Sequence, residues 1–356
     1  MAYELNNKIK DLVPYDPIAG EYRIRLDANE SYLNPSPETF EQLKQAVSAV
    51  AFNRYPDPIA GAVCKAFAQY YGIKAENVAA GNGSDELISV ILSAFLQKGD
   101  TVITLSPDFS MYRFYASIAE AELYDMKKRE DLTIDVDALV DEANRRNARV
   151  IIFSNPCNPT SLGLAREEVR KLVRSVNGLV VLDEAYMDFW DQSLIQEVEQ
   201  YDNLLILKTC SKAFGMAAIR LGFAVGCKKL VQAICAVKSP YNVNSMTQAA
   251  GAVLLSHREE LEAAAQKLVE SRKELFSKIE SLAQKFPKQV MPYHSCTNFV
   301  FCRVPAAQQA YRYLLEQGIV VRLIGPEYLR ITAGNPEENE QVAAALESYF
   351  RKELER

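Results

Sequence analysis

The chain has little with which to hold a metal. It carries two histidines, His257 and His294, and neither stands at a ligand spacing from other candidate ligands, so no structural metal site is expected. It has no C-x-x-C pair. Its seven cysteines are odd in number and several lie inside apolar segments, where a reduced thiol behaves as a small hydrophobe. No apolar run approaches the length of a membrane span, and MAYELNNKIK lacks the apolar core of a signal peptide. The cytoplasm is therefore the expected compartment. Positive charge is not in excess. Forty basic residues against 46 acidic ones give a net charge of −6 and a pI near 5.3, which argues against nucleic acid or an anionic membrane as the main partner. Repeats and low-complexity tracts are absent. What remains is 356 residues, 49% hydrophobic and 24% charged, an ordinary globular composition with room for two domains.

The most informative stretch is NLLILKTCSKAFGMAAIRLGFAVG, residues 203 to 226. Leu204 to Leu207 read as a buried strand that empties into the polar turn Thr209-Cys210-Ser211-Lys212. Arg220 follows eight residues after the lysine, before a second apolar run, Leu221 to Val225. Hydroxyls and a planar cation at the mouth of a strand suit a phosphate. An amine beside that phosphate suits a Schiff base to an aldehyde cofactor carrying it. Alone, the stretch is equally compatible with a solvated lysine on a loop.

Other stretches repeat the plan of a strand ending in a polar turn. In VAAGNGSDELISVILSAFLQKG, Gly81 and Gly83 free the backbone and Ser84 is the expected N-cap of a helix running to Phe95. The unpaired N–H groups of such a helix start form an anion site, with the amides of Ser84 and Asp85 closest. TVITLSP, RVIIFSNP and GLVVLDEAY read as further buried strands. The last ends on Asp183 and Glu184, and a buried carboxylate needs a cationic partner such as a pyridinium nitrogen. A long amphipathic helix is expected over about residues 257–285, leading to short strands (TNFVFCRV, IVVRLI, YLRITAG) between helices. Within them Arg330 is the odd residue, since a buried arginine is rare unless paired, and Arg322 is a second candidate anion clamp.

These motifs together resemble the fold-type I pyridoxal-phosphate enzymes, and most closely the histidinol-phosphate aminotransferase family, along nearly the whole chain. The resemblance rests on Ser-Lys-Ala-Phe before Arg220, on Asp-Glu-Ala-Tyr at 183–186, on Leu-Asp-Ala-Asn-Glu at 26–30, and on NPCNPTS, which keeps six of seven positions of Asn-Pro-x-Asn-Pro-Thr-Gly with Ser161 for glycine. Ser31-Tyr32 departs from the family's usual Asn-Pro. The resemblance implies an aspartate-aminotransferase-like α/β fold, with a mostly parallel sheet flanked by helices and a smaller α+β C-terminal domain. It divides the chain into an arm (1–28), a large cofactor-binding domain (29–260) and a small substrate-closing domain (261–356). It makes pyridoxal 5'-phosphate the cofactor and Lys212 the Schiff-base lysine. Thr209, Ser211 and Arg220 then hold the cofactor phosphate, Asp183 the ring nitrogen, Asn158 and Tyr186 the phenolic oxygen. Phe109 stacks on the ring where the family commonly has tyrosine, and Pro159 is the family's cis proline.

Tyr55 is implied to reach the phosphate site of a second subunit, making a homodimer with shared active sites. Tyr15, Asn29, Arg322 and Arg330 border the substrate. The implied partners are a small amino donor, favoured as histidinol phosphate, and a 2-oxo acid, favoured as 2-oxoglutarate. Threonine-phosphate decarboxylases and aromatic-amino-acid aminotransferases share the resemblance. A cofactor-binding protein without turnover is disfavoured by the acidic pI and the lack of a DNA-binding segment.

Overall fold

The computed structural model describes residues 3–14 and 18–354. Strand β1 (Ile24–Arg25) precedes helices α1 (Pro37–Ser48) and α2 (Gly61–Tyr71). Strands and helices then alternate as β2 (Val78–Gly81), α3 (Gly83–Phe95), β3 (Thr101–Ser106), α4 (Met111–Ile118), β4 (Glu122–Lys127), α5 (Val136–Arg145), β5 (Val150–Ser154), α6 (Arg166–Ser175) and β6 (Leu179–Asp183). Strands β7 (Leu204–Thr209) and β8 (Gly222–Gly226) complete a seven-stranded sheet in the order β2-β8-β7-β6-β5-β3-β4. Only β8 runs antiparallel to its neighbours.

Continuous apolar runs form these strands because helices cover both faces of the sheet. The side chains alternate accordingly. Val180, Leu182, Leu204 and Ile206 enter one core, while Leu179, Val181, Leu205 and Leu207 enter the other.

Helices α7 (Lys228–Val237) and α8 (Ser245–Ser256) flank the segment 238–244 and lead into α9 (Arg258–Lys285). On α9, Leu261, Ala265 and Leu268 pack into the first core, and Leu275, Ile279 and Leu282 into a separate C-terminal core. The rest of the chain is β9 (Met291–Pro292), β10 (Phe299–Arg303), α10 (Ala307–Glu316), β11 (Ile319–Val320), β12 (Arg322–Ile324), β13 (Tyr328–Thr332) and α11 (Pro336–Leu354). Strands β12-β13-β10-β9 form an antiparallel sheet, and β1 pairs in parallel with β11. The α/β architecture with an α+β C-terminal part is thus the one the sequence predicts.

Two details differ. IVVRLI is two strands, because Ile319–Val320 pairs with β1 while Arg322–Ile324 turns to pair with β13. The segment before residue 28 also contributes Ile24 and Leu26 to the C-terminal core. Among the described residues no helix is long and apolar enough to cross a membrane.

Beneath the first core lies a buried ion cluster. Lys208 (2% exposed) sits 2.9 Å from Asp188 and 3.8 Å from Glu184 (1% exposed). Tyr71 donates to Asp188 at 2.6 Å and Ser193 to Glu184 at 2.6 Å. Burial pushes Glu184 up to about 7, against the pull of Lys208, with Asp188 and Asp183 adding to the rise. A carboxyl raised in this way supports folding fully below its unfolded pKa and loses that support as pH climbs through about 7. Lys208→Met strips the cation from Asp188, its nearer partner, and from Glu184, whose share of the loss is felt only where that acid is ionised. Urea unfolding should show a loss of about 3–5 kcal/mol near pH 8 and a clearly smaller one near pH 5. Equal losses at both values would show that Glu184 does not depend on Lys208.

Candidate active site

The C-terminal ends of β5, β6 and β7 and the start of α3 converge on one cleft, as expected for an open α/β sheet. Lys212 lies on the loop after β7, half-buried. Its Nζ donates to the Ala28 carbonyl at 2.8 Å and lies 6.0 Å from the centre of the Tyr186 ring. Burial lowers this amine to about 8, with Arg330 and Arg220 adding to the drop and Glu30 and Asp183 opposing it. An amine so placed is partly neutral near pH 7–8 and is able to take up a proton there.

Below the lysine is an anion cradle assembled from three segments. Thr209 Oγ1 donates to Ser211 Oγ at 3.1 Å, and the Ser211 amide donates back to Thr209 Oγ1 at 3.2 Å. Arg220 donates to Ser211 Oγ at 3.4 Å. Its guanidinium lies so close to Gly83 that a Cβ there would sit 2.8 Å from Nη2, and a Cβ on Gly222 would sit 2.3 Å from the Ser84 amide nitrogen. Glycine at these two positions lets β8 and Arg220 press against the first turn of α3, whose N–H groups have no intrahelical acceptor. The cap position is Asn82, not Ser84, because Gly83 already has helical pairing; the Asn82 amide donates to Glu86 at 2.6 Å. Burial raises Asp85 while Arg220 lowers it. Two hydroxyls, a guanidinium and helix-start amides form a donor set that fits a phosphate ester.

Asp183 ends β6, 5% exposed. Its Oδ2 accepts from Tyr112 at 2.8 Å and its Oδ1 from the Ala185 amide at 3.1 Å. Burial pushes it up to about 6, partly countered by those two donors and reinforced by Asp108 and Asp85. Tyr186 accepts at its hydroxyl from Asn29 Nδ2 at 2.8 Å. Asn29 is fixed in turn by Thr332, which donates to its Oδ1 at 3.1 Å, and by Asn298, which donates to its carbonyl at 3.1 Å. Arg330 donates to Asn158 Oδ1 at 2.5 Å and to the Asp27 carbonyl at 2.6 Å. Arg322 lies directly across from Arg330 in the β12–β13 register, so both side chains leave the same sheet face. Phe109 meets Tyr112 edge to face at 5.6 Å.

The cleft therefore gathers the expected residues Asn29, Ser84, Asp85, Asn158, Asp183, Tyr186, Thr209, Ser211, Lys212, Arg220 and Arg330, each through a contact above, with Phe109 beside Tyr112. The Asn158–Pro159 bond is cis, as the resemblance implies, and so are Ser106–Pro107 and Asn155–Pro156. Ser161 takes the family glycine's place at φ 62°. Its hydroxyl donates to the His294 carbonyl at 2.8 Å, giving the serine a partner that glycine would lack. Tyr55 is 82% exposed and stacks on Tyr241 at 4.6 Å. Tyr15 lies outside the described residues. Sequence reasoning missed Tyr112, Asn298 and Thr332. Tyr112 alone carried a signal, standing one helical turn after Phe109. No group of three or more His, Cys, Asp or Glu able to hold a metal occurs among the described residues.

Comparison with known proteins gives a consistent result. The family described as aminotransferase class I and II matches residues 22–346. Histidinol-phosphate aminotransferase of Clostridium kluyveri is 39% identical over 347 residues, covering 96% of this chain and 97% of its own. That of Thermococcus gammatolerans is 37% identical over 346 residues, covering 96% of both chains. Among solved structures, histidinol-phosphate aminotransferase from Sinorhizobium meliloti, in complex with pyridoxal-5'-phosphate, superposes with a TM-score of 0.86 at 24% identity, covering 99% of each chain. A Thermus thermophilus aspartate aminotransferase mutant gives 0.80 at 20%, covering 98% of this chain and 99% of its own. At such identities these two establish the fold, which is the aspartate-aminotransferase-like fold type I. From its sequence match over most of its length, the chain belongs to the aminotransferase class I and II family.

Proposed function

We propose that the chain is a pyridoxal-phosphate-dependent aminotransferase that takes the amino group of histidinol phosphate and passes it to 2-oxoglutarate. The observation that carries this reading is the pair Arg322 and Arg330 on one sheet face, with Arg330 bonded to Asn158 beside the lysine cleft. Two cations in register suit a phosphorylated amine in one half-reaction and a dicarboxylate in the other. The full-length likeness to histidinol-phosphate aminotransferases at up to 39% identity supports the choice of donor. The division into arm (1–28), cofactor part (29–260) and closing part (261–356) belongs to this reading.

When bound, pyridoxal phosphate supplies an aldehyde that condenses with amines and a ring that withdraws electrons from the neighbouring carbon. Thr209, Ser211, Arg220 and the amides of Ser84 and Asp85 would hold its phosphate, Asp183 its ring nitrogen, Asn158 and Tyr186 its phenolic oxygen, and Phe109 its face. Lys212 Nζ, lowered to about 8, takes the proton from the substrate's amine-bearing carbon and returns it on the other side of the transfer. Asn29 keeps Tyr186 oriented, and Arg330 bridges Asn158 to the substrate side. Tyr55, exposed and near the exposed Tyr241, would serve the site of a second copy of the chain.

Histidinol phosphate given alone should discharge the yellow colour of the loaded enzyme without releasing carbon dioxide, and 2-oxoglutarate should restore it. Carbon dioxide release from threonine phosphate would instead make the protein a decarboxylase. Arg330→Ala should raise KM for donor and acceptor together, by about tenfold or more. Arg322→Ala should weaken a phosphorylated donor more than the acceptor, and equal effects on both would remove its phosphate role. Mixing Lys212→Ala with Tyr55→Ala chains and letting them reassort should restore activity toward about a quarter of the sites, since about half of all dimers are then mixed. Activity no higher than the parents' mean, with mixed dimers present, would mean that Tyr55 serves its own chain.

A further inference from the structure

Asp183 is approached from the side by α4, whose first turn does two things at once. It follows directly on Phe109, and three residues later Tyr112 points its hydroxyl at Asp183 Oδ2 from 2.8 Å. The Tyr112 amide donates to the Phe109 carbonyl at 3.4 Å, and the two rings meet edge to face. Tyr112 itself is fully buried, packed in the core that also holds Leu87, Ile88, Val181 and Leu207. Its ring cannot turn without repacking that core, so the direction of its O–H is set by the fold. Burial, then the charges of Asp183 and Asp108, hold this phenol far above the usual tyrosine range, so it donates at every working pH.

Asp183 needs such a donor. Asp108, just before α4, and Asp85, on α3, both oppose its charge. On the other side stand Lys212, on the loop after β7, and Tyr186, which follows β6 and is itself fixed by Asn29. Glu184, the next residue, feels the charge of Asp183 as well. Its neighbours thus include three acids and one amine lowered to about 8, and direct donation from Tyr112 and Ala185 is the main local force favouring the carboxylate.

Resting on the reading of Asp183 as the partner of the ring nitrogen, we infer that Tyr112 is a positioning residue for the transfer reaction. Its hydroxyl holds Asp183 charged and aimed, and α4 couples that aim to the placement of Phe109. A ring nitrogen facing a tilted or protonated Asp183 would be a weaker electron sink, so the loss should fall on kcat more than on KM.

The test uses cofactor-loaded wild type, Tyr112→Phe, Asp183→Asn and the double variant. Phenylalanine keeps the buried ring and removes only the donor. Tyr112→Phe should lower kcat about tenfold with KM little changed, and the loss should grow as pH falls from about 9 to about 6, because without the donor Asp183 protonates sooner. In the Asp183→Asn background the same change should cost less than about twofold, since the group it acts through is gone. A full further tenfold loss there, or a loss in Tyr112→Phe that is the same at both pH values, overturns the inference. If Asp183→Asn alone leaves kcat intact, the assignment of Asp183 to the ring nitrogen fails first, which separates that failure from this one.

Discussion

The structure depends on charge brought out of water at the C-terminal ends of β6 and β7. Asp183, Glu184, Lys208 and Lys212 lie within a few residues of these two strand ends, where the sheet is covered on both faces. Strand alternation sorts them. Glu184 and Lys208 follow Leu182 and Ile206 onto one face, while Asp183 follows Val181 onto the other. On the first face two acids share one lysine, with Tyr71 and Ser193 completing the hydrogen bonds, and the result is a closed structural cluster. On the second, the acid receives only neutral donors, Tyr112 and the Ala185 amide. Asp183 thus has no ion pair among the described residues, which suits the proposed role of holding a cationic ring.

The second constraint is the seam between the two cores. Helix α9 runs unbroken from one core into the other, and beside it Phe299 of β10 packs into the first core against Tyr186 while several polar contacts also cross. Arg330 reaches Asn158 and the Asp27 carbonyl, Ser161 reaches the His294 carbonyl, and Asn298 and Thr332 hold Asn29 against Tyr186. The neutral bonds of this seam are worth only about 0.5–1.5 kcal/mol each against water, and those of the Arg330 guanidinium about 1.5–3 kcal/mol.

Most of the site was legible because its residues sit at the ends of apolar runs or in local motifs. Lys212 and Asn158 follow a buried strand within a short polar turn, Asp183 ends one and Arg220 stands just before another, and local sequence shows that arrangement. Contacts across the chain left no such trace. Nothing in Ile24–Arg25 announces a parallel partner at Ile319–Val320, so IVVRLI reads as one strand although it is split between two sheets. The helix cap lies two residues before Ser84 because a glycine at φ +82° starts the helix, and Gly83 itself is pressed by Arg220 from far along the chain. Tyr112 was overlooked because a tyrosine at helical spacing is ordinarily core, and here it is core and hydrogen-bond donor together.

Lys208 and Lys212 show why burial alone does not make a lysine reactive. They stand four residues apart, at the end of one strand and in the loop that follows. Lys208 faces two carboxylates, Asp188 at 2.9 Å and Glu184 at 3.8 Å, and its amine is taken up by that closed cluster. Lys212 has a carbonyl for its hydrogen bond and two arginines within electrostatic reach, which together with burial bring it to about 8. The arginines that add to burial in lowering it are Arg330, bonded to Asn158, and Arg220, beside Ser211. An anion bound at either would offset its positive charge and let Lys212 rise again. Under the proposed reading an anion at either site therefore shifts the basicity of Lys212, on top of the larger effect of burial.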